Sequence, residues 1–254
     1  MSSGASIKAD LASSIEAISP LTLARDQVLP LCDAMATVMP GGVLRRGTSV
    51  VVDGSASVSL ALGLAAEATA QGSWVVFVGV EGLCLSAAEE FGLELGRVAL
   101  VDDPGDKWAN VVSALAGAVD IVVTKSPNSF RASDGRRLSA RLRERGGVII
   151  EIGGGGRQVM QADVRLSAAR QSWSGLGFGY GLLSSRLVTV EVGGRGAASR
   201  PRSVDVLLPG ESGRPEAVSF AQRSQPMRTY DTIADVADLT ARLASRSVGH
   251  HSAT

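Results

Sequence analysis

The strongest constraint on this chain is a repeated pattern in which unbroken runs of Val, Ile and Leu alternate with segments of helical character. The apolar runs are TSVVVDG at 48–54, SWVVFVG at 73–79, VALVDD at 98–103, VDIVVT at 119–124 and GVIIEIG at 147–153. Between them stand LALGLAAEATAQG, CLSAAEEFG, WANVVSALAG and SDGRRLSARLRERG, each with helix-compatible spacing and most closed by glycine. Strands buried on both faces carry continuous apolar residues, whereas a sheet with one wet face alternates apolar with polar. Strand and helix in regular succession build a mostly parallel sheet with helices on both sides. The expected fold class is therefore α/β, a three-layer α/β/α core around an open sheet.

After GGGG at 153–156 the pattern changes, and ADVRLSAA, LLSSRLVTVEV and RSVDVLLP alternate residue by residue. They predict short strands that form a C-terminal antiparallel extension of the sheet. The WSGLGFGYG segment between them reads as core packing with tight turns in preference to a base-stacking loop.

A chain of 254 residues fits one such core plus its flanks. Residues 1–38 read as a helical lead-in, with two helix-compatible stretches divided near Ser19 and Pro20 and a face of Leu21, Ala24, Val28 and Leu31 on the second. Residues 39–209 are the core. Residues 210–254 read as a polar, proline-containing linker followed by a helix that places Ile233, Val236 and Leu243 along one apolar face, a pattern suited to a partner's groove or to its own core.

Composition narrows the chemistry. Both histidines are His250 and His251, so no internal histidine serves as a general base or metal ligand. Of 25 basic residues three are lysines, Lys8, Lys107 and Lys125, which leaves 22 arginines. Formal net charge is zero, so any attraction to nucleic acid must be local. The RRLSARLRER helix at 136–145 offers such a patch through Arg136, Arg137, Arg141, Arg143 and Arg145, with Leu138 and Leu142 turned to the sheet. DNA phosphate contact and a merely solvated helix face are its two readings. Cys32 and Cys84 lie in apolar contexts and read as buried free thiols. There is neither a signal-peptide pattern nor an apolar run of about 18 residues, so a cytoplasmic protein without membrane attachment is expected.

VVVDGSASVSLALGLAAEA has the layout of a phosphate-binding loop: an apolar strand, a small-residue turn and a helix. The functional signature GxxxxGK[ST] supplies amides around phosphate, a lysine on the terminal phosphates and a hydroxyl on magnesium. Here Gly54, Ser55, Ser57 and Ser59 keep the small and hydroxyl residues, the turn is shorter, and Val58 stands near the lysine position. A structural turn, weak phosphate binding and hydrolysis all stay open, the first preferred. The acid that should close a neighbouring strand is replaced by Thr124 and Lys125, while Glu81 follows the VVFVGV strand. Asp102, Asp103 and Asp106 in VDDPGDKW read first as an acidic turn and second as a magnesium site.

From MPGG at 39–42 to VDVLLP at 204–209 this order resembles the RecA/RadA recombinase core, most clearly over SWVVFVGVEGLCLSAAEEFGLELGRVALVDDPGDKWANVVSALAGAVDIVVT. The resemblance implies that Glu81 holds the place of the recombinase catalytic glutamate and Lys125 that of its magnesium-associated aspartate. More narrowly, the chain is similar to the actinobacterial ImuA-prime family of mutasome accessory proteins. That likeness implies a non-catalytic RecA-like adaptor, a pseudo-ATPase without cofactor or metal, that supports error-prone translesion synthesis after DNA damage. Its implied partners are ImuB directly, a specialised C-family DNA polymerase in the same assembly, and RecA and DNA as further contacts. The alternatives are a RecA-like cell-division inhibitor that binds the division tubulin homologue and a divergent weak ATPase.

Overall fold

Each apolar run forms a strand of one large sheet. The structure, a computed structural model, describes residues 28–127, 132–153, 162–175 and 181–218. In chain order these give β1 Val28–Leu29, α1 Asp33–Val38, β2 Leu44–Arg45, β3 Ser49–Gly54, α2 Ser57–Ala70, β4 Val75–Val78, α3 Leu85–Glu90, β5 Val98–Val101 and α4 Trp108–Leu115. They continue as β6 Ile121–Thr124, α5 Ala132–Arg145, β7 Val148–Ile152, β8 Val164–Trp173, β9 Arg186–Gly194, β10 Arg202–Leu207 and β11 Glu216–Ala217. The chain divides into a unit of Met1–Ser219 and a unit of Phe220–Thr254, and the second lies outside the described residues.

The main sheet has nine strands in the order β11-β10-β9-β8-β3-β7-β6-β4-β5. From β8 to β5 all neighbours are parallel, and from β8 to β11 all are antiparallel. Alternate side chains of the parallel strands feed two cores, as a period of two requires. Val50, Val52, Phe77, Val123 and Ile150 pack with α1, α2 and α3 on one face. Val76, Val78, Val122 and Ile149 pack with Trp108 and Val112 of α4 and Leu138 and Leu142 of α5 on the other. Helix α2 is buried around most of its circumference, from Leu60 through Ala66, because the sheet lies on one side and α1 crosses the other. The contact is close enough that a Cβ on Gly63 would stand 2.9 Å from the Met35 sulfur. The three-layer α/β/α architecture with an antiparallel C-terminal part is that expected from the sequence.

Four expectations need correction. The apolar face drawn through Leu21, Ala24, Val28 and Leu31 is not one helix over its described part, since Val28–Leu29 pairs antiparallel with Leu44–Arg45 and the helix begins only at Asp33. Leu29 precedes Pro30, whose ring disfavours the helical conformation for the residue before it. Position 38 is consequently no domain boundary, and Met35 and Val38 are fully buried in the main core. Second, β8 belongs to the parallel part: it pairs in register with β3, Val50 to Val164 through Gly54 to Ala168. Residue alternation reports two unlike faces and carries no information on strand direction, so the antiparallel extension starts one strand later.

Third, the body does not end at Pro209. Glu216–Ala217 pairs with Val206 and Leu207, and Gly210, Pro215 and Val218 are buried. The polar residues of this segment close a hairpin: Gly210 N–H donates to the Arg214 carbonyl at 2.7 Å, and the Glu216 carboxylate accepts from the Ser212 N–H at 2.9 Å and hydroxyl at 2.6 Å. Those two bonds hold the Glu216 carboxyl below the usual carboxylate range. Fourth, Cys84 is exposed, just before α3, and Cys32 is half-buried, its thiol pushed up by burial. Among the described residues no helix is long and apolar enough to cross a membrane.

Candidate functional site

Ligands of open α/β sheets bind beyond the carboxyl ends of the strands, and the topology brings the phosphate-loop positions, Glu81 and Lys125 to that one edge. They are spread along it. Lys125 follows β6, which is separated from β3 by β7, and Glu81 follows β4, one strand further. Strand spacing puts Lys125 about 10 Å and Glu81 about 14 Å from the β3 end. Both side chains are exposed.

The turn itself is too tight to encircle a phosphate. Strand β3 ends at Gly54 and α2 begins at Ser57, so Ser55 and Ala56 alone bridge them. Gly54 has φ +87°, and a Cβ there would stand 2.5 Å from the Ala168 carbonyl oxygen of β8. Backbone conformation and the neighbouring strand both require glycine. Ala56 is buried and gives the helix no side-chain cap, Ser57 is buried, and Val58 is 40% exposed where the signature has its lysine.

Ser59, the position of the magnesium hydroxyl, is occupied by the protein itself. Its hydroxyl accepts a hydrogen bond from Arg186 Nη2. Arg186 opens β9, donates from Nε to the Leu208 carbonyl at 2.6 Å, and lies with its guanidinium 5.1 Å from the centre of the Trp173 ring. It is 9% exposed, and desolvation lowers its pKa from the ordinary arginine value. An arginine retains its proton under such a shift, so a fixed cation sits against the first turn of α2. Positive charge near a helix N-terminus opposes the helix dipole; the two hydrogen bonds and the indole face offset this. Sequence reasoning missed Arg186. Its signal was a lone charged residue opening the alternating strand RLVTVEV.

An ion pair closes the same edge. Asp53, which precedes Gly54, is bound at 2.8 Å by Arg165 of β8. Gly153, at the exit of β7, makes room for that carboxylate, since a Cβ there would fall 1.8 Å from Asp53 Oδ1. Beside Lys125, the Thr124 hydroxyl accepts from Trp108 Nε1 at 2.9 Å and donates to the Val78 carbonyl at 3.0 Å. Thr124 therefore ties β6 to α4 and β4.

Asp102, Asp103 and Asp106 follow the carboxyl end of β5, one strand beyond Glu81. Asp103 accepts from the Gly105 N–H at 2.9 Å, an Asx turn, and no group of three metal-ligating side chains occurs among the described residues. Arg136, Arg137, Arg141, Arg143 and Arg145 are all exposed on α5, with Leu138 and Leu142 buried beneath. Ile233, Val236 and Leu243 lie outside the described residues.

Comparison with known proteins agrees with the architecture. The crystal structure of the RadB recombinase superposes with a TM-score of 0.51 over 74% of this chain and 97% of that one, at 17% identity. The fold is thus RecA/RadA-like. Residues 37–155 match the model of the MT3502 N-terminal domain family. An uncharacterized protein of Mycobacterium tuberculosis, Rv3395c, is 32% identical over 112 residues, which are 44% of this chain and 54% of that protein. The chain thus matches about half the length of that relative.

Proposed function

We propose that the chain is a non-catalytic RecA-like adaptor of the damage-induced mutasome, which supports error-prone translesion synthesis by binding ImuB. The observation that carries the non-catalytic part is the Arg186–Ser59 contact. Nucleotide hydrolysis on this fold needs a mobile lysine on the terminal phosphates and a hydroxyl available to magnesium. In this reading the cation is buried and bound to the protein, the hydroxyl is engaged, and the two-residue turn offers too few amides for a phosphate. Lys125 at the end of β6 acts in the same direction, since a cation repels magnesium. A fold without its chemistry still supplies rigid surfaces, and the Ile233, Val236 and Leu243 stripe is the surface assigned to ImuB.

The test is reconstitution of the full-length chain with purified ImuB, alongside an ATP turnover assay. Capture of ImuB without turnover is expected, with capture lost when Ile233, Val236 and Leu243 are all changed to Asp. Turnover that Ser59→Ala abolishes would overturn the non-catalytic reading. Capture of the division tubulin homologue in place of ImuB would move the chain to the division-inhibitor class.

A further inference from the structure

The amino-terminal edge of the same sheet, opposite the nucleotide position, gathers arginines from three separate segments. Arg45 lies in β2 just before β3. Arg141, Arg143 and Arg145 end α5 just before β7, and Arg195 and Arg200 lie in the turn from β9 to β10. All six are exposed. The approach of these segments is direct: a Cβ on Gly47 would stand 3.4 Å from the Arg143 Cα, and a Cβ on Gly146 would stand 3.9 Å from Arg46. Between β7 and β10 lie four strand steps, so the row extends over about 20 Å.

Two of the acids at this edge, Asp120 and Asp163, are committed to the fold. Asp120 accepts from the Trp74 N–H at 2.8 Å and pairs with the half-buried Arg46 at 2.7 Å. Asp163 accepts from the N–H and hydroxyl of Ser49 at 2.9 and 2.8 Å. Glu94 and Glu144 are exposed acids along the same edge. Some of the arginines have ordinary structural explanations. Arg202 caps the end of α1 through the carbonyls of Thr37, Val38 and Met39, Arg97 lies over Trp74 at 5.3 Å, and Arg143 and Arg145 complement the α5 dipole. Those explanations do not reach Arg45, Arg195 and Arg200, none of which ends an α-helix, and the β9–β10 turn that carries Arg195 and Arg200 is distant in sequence from Arg45.

We propose that this edge binds the phosphate backbone of duplex nucleic acid. Guanidinium groups match phosphate oxygens as bidentate forks, and a row of about 20 Å follows more than half a turn of a duplex. A protein partner would require an apolar centre, and among the described residues the large apolar side chain exposed beside the row is Val28, opposite Arg45. Single strands are held by stacking on exposed aromatic rings, and the aromatic at this edge, Trp74, is covered by Arg97. Neutral net charge does not oppose the assignment, because the field is local. The surface differs from the α5 face read from the sequence: it uses the C-terminal end of that helix and leaves out Arg136 and Arg137. It is also independent of partner capture, since ImuB binding and nucleic-acid binding are read in separate assays.

Fluorescence anisotropy of a labelled duplex of about 20 base pairs tests it, with salt raised from about 50 to about 200 mM. The full-length chain is expected to bind, with affinity that falls steeply over that range. Combined Arg45→Ala, Arg195→Ala and Arg200→Ala substitution is expected to weaken binding at least about tenfold and to lower the salt slope by about 2–3, with a wild-type melting profile. Arg200→Glu alone, in an exposed turn, is expected to weaken binding in the same direction and keeps the test decisive if the triple variant does not fold. The Arg136→Ala, Arg137→Ala pair is expected to leave affinity unchanged. Absence of duplex binding, unchanged affinity in the arginine variants, or equal loss in the Arg136, Arg137 pair would overturn the proposal. Tighter binding of the single strand, or equal competition by a polyglutamate of matched charge, would do so as well.

Discussion

At the carboxyl edge of the parallel strands two arginines, Arg186 and Arg165, are bound within the protein, while at the amino edge two aspartates, Asp120 and Asp163, are. Arg186 and Arg165 are held by Ser59, Leu208 and Asp53, and the phosphate-loop turn is closed on its own protein. Asp120 and Asp163, by contrast, bind backbone and hydroxyl donors at the start of the strands and leave exposed arginines around them. A formal charge of zero therefore hides a difference between two ends of one sheet. The fold alone does not distinguish the two ends; the hydrogen-bond partners of these charges do.

The comparison is broken most directly at Asp120. If the amino-edge acids hold the fold, Asp120→Ala leaves Arg46 without its partner and the Trp74 N–H without its acceptor. The side chains of this pair are 15% and 14% exposed, and breaking such a pair costs about 3 kcal/mol. Urea denaturation measures this, and a loss below about 1 kcal/mol would show that the pair is surface-like.

Arg186→Met probes the opposite edge. It keeps the aliphatic stem against Trp173 and removes bonds to Leu208 and Ser59, so a loss of about 2 kcal/mol is expected, again from denaturant midpoints. A more stable variant would mean that desolvation of the buried charge outweighs its hydrogen bonds. No gain in ATP affinity is expected in this variant, because the two-residue turn remains; a gain detected by calorimetry would identify Arg186 as an obstacle to binding.

The smallest effect concerns the hairpin that closes the sheet. The folded Glu216 carboxyl titrates below its unfolded value, owing to the Ser212 bonds. Its contribution is then present above the unfolded pKa, about 4.3, and disappears as pH falls through the folded one. Glu216→Gln should reduce stability at neutral pH and flatten the acid limb of the melting profile. Parallel wild-type and variant curves across that range would remove Glu216 from the account.

Much of the fold was legible in the residues. Continuous runs such as VVFV and IVVT are explained only by burial on both faces, and the glycine at 54 marked the sharp turn into α2. The site was legible in what it lacked, a lysine at Val58 and an acid at Lys125. Its occupant was not: Arg186 is 127 residues away from Ser59 in sequence, and no local pattern pairs an arginine opening one strand with a hydroxyl on a distant helix. The same holds for Asp53 with Arg165 and for the hairpin at 210–218, whose polar composition reads equally well as linker or as hydrogen-bonded turn.

By itself the sequence determined the alternation of strand and helix, the two apolar faces and the departure from the GxxxxGK[ST] signature at 54–59, because side-chain periodicity and residue type act locally. Only the tertiary structure decided that β8 runs parallel to β3, that Arg186 bonds the Ser59 hydroxyl, and that Arg45, Arg145 and Arg195 share one edge. Those outcomes depend on which distant segments the sheet order brings together, and strand pairing is set by the packing of the whole core.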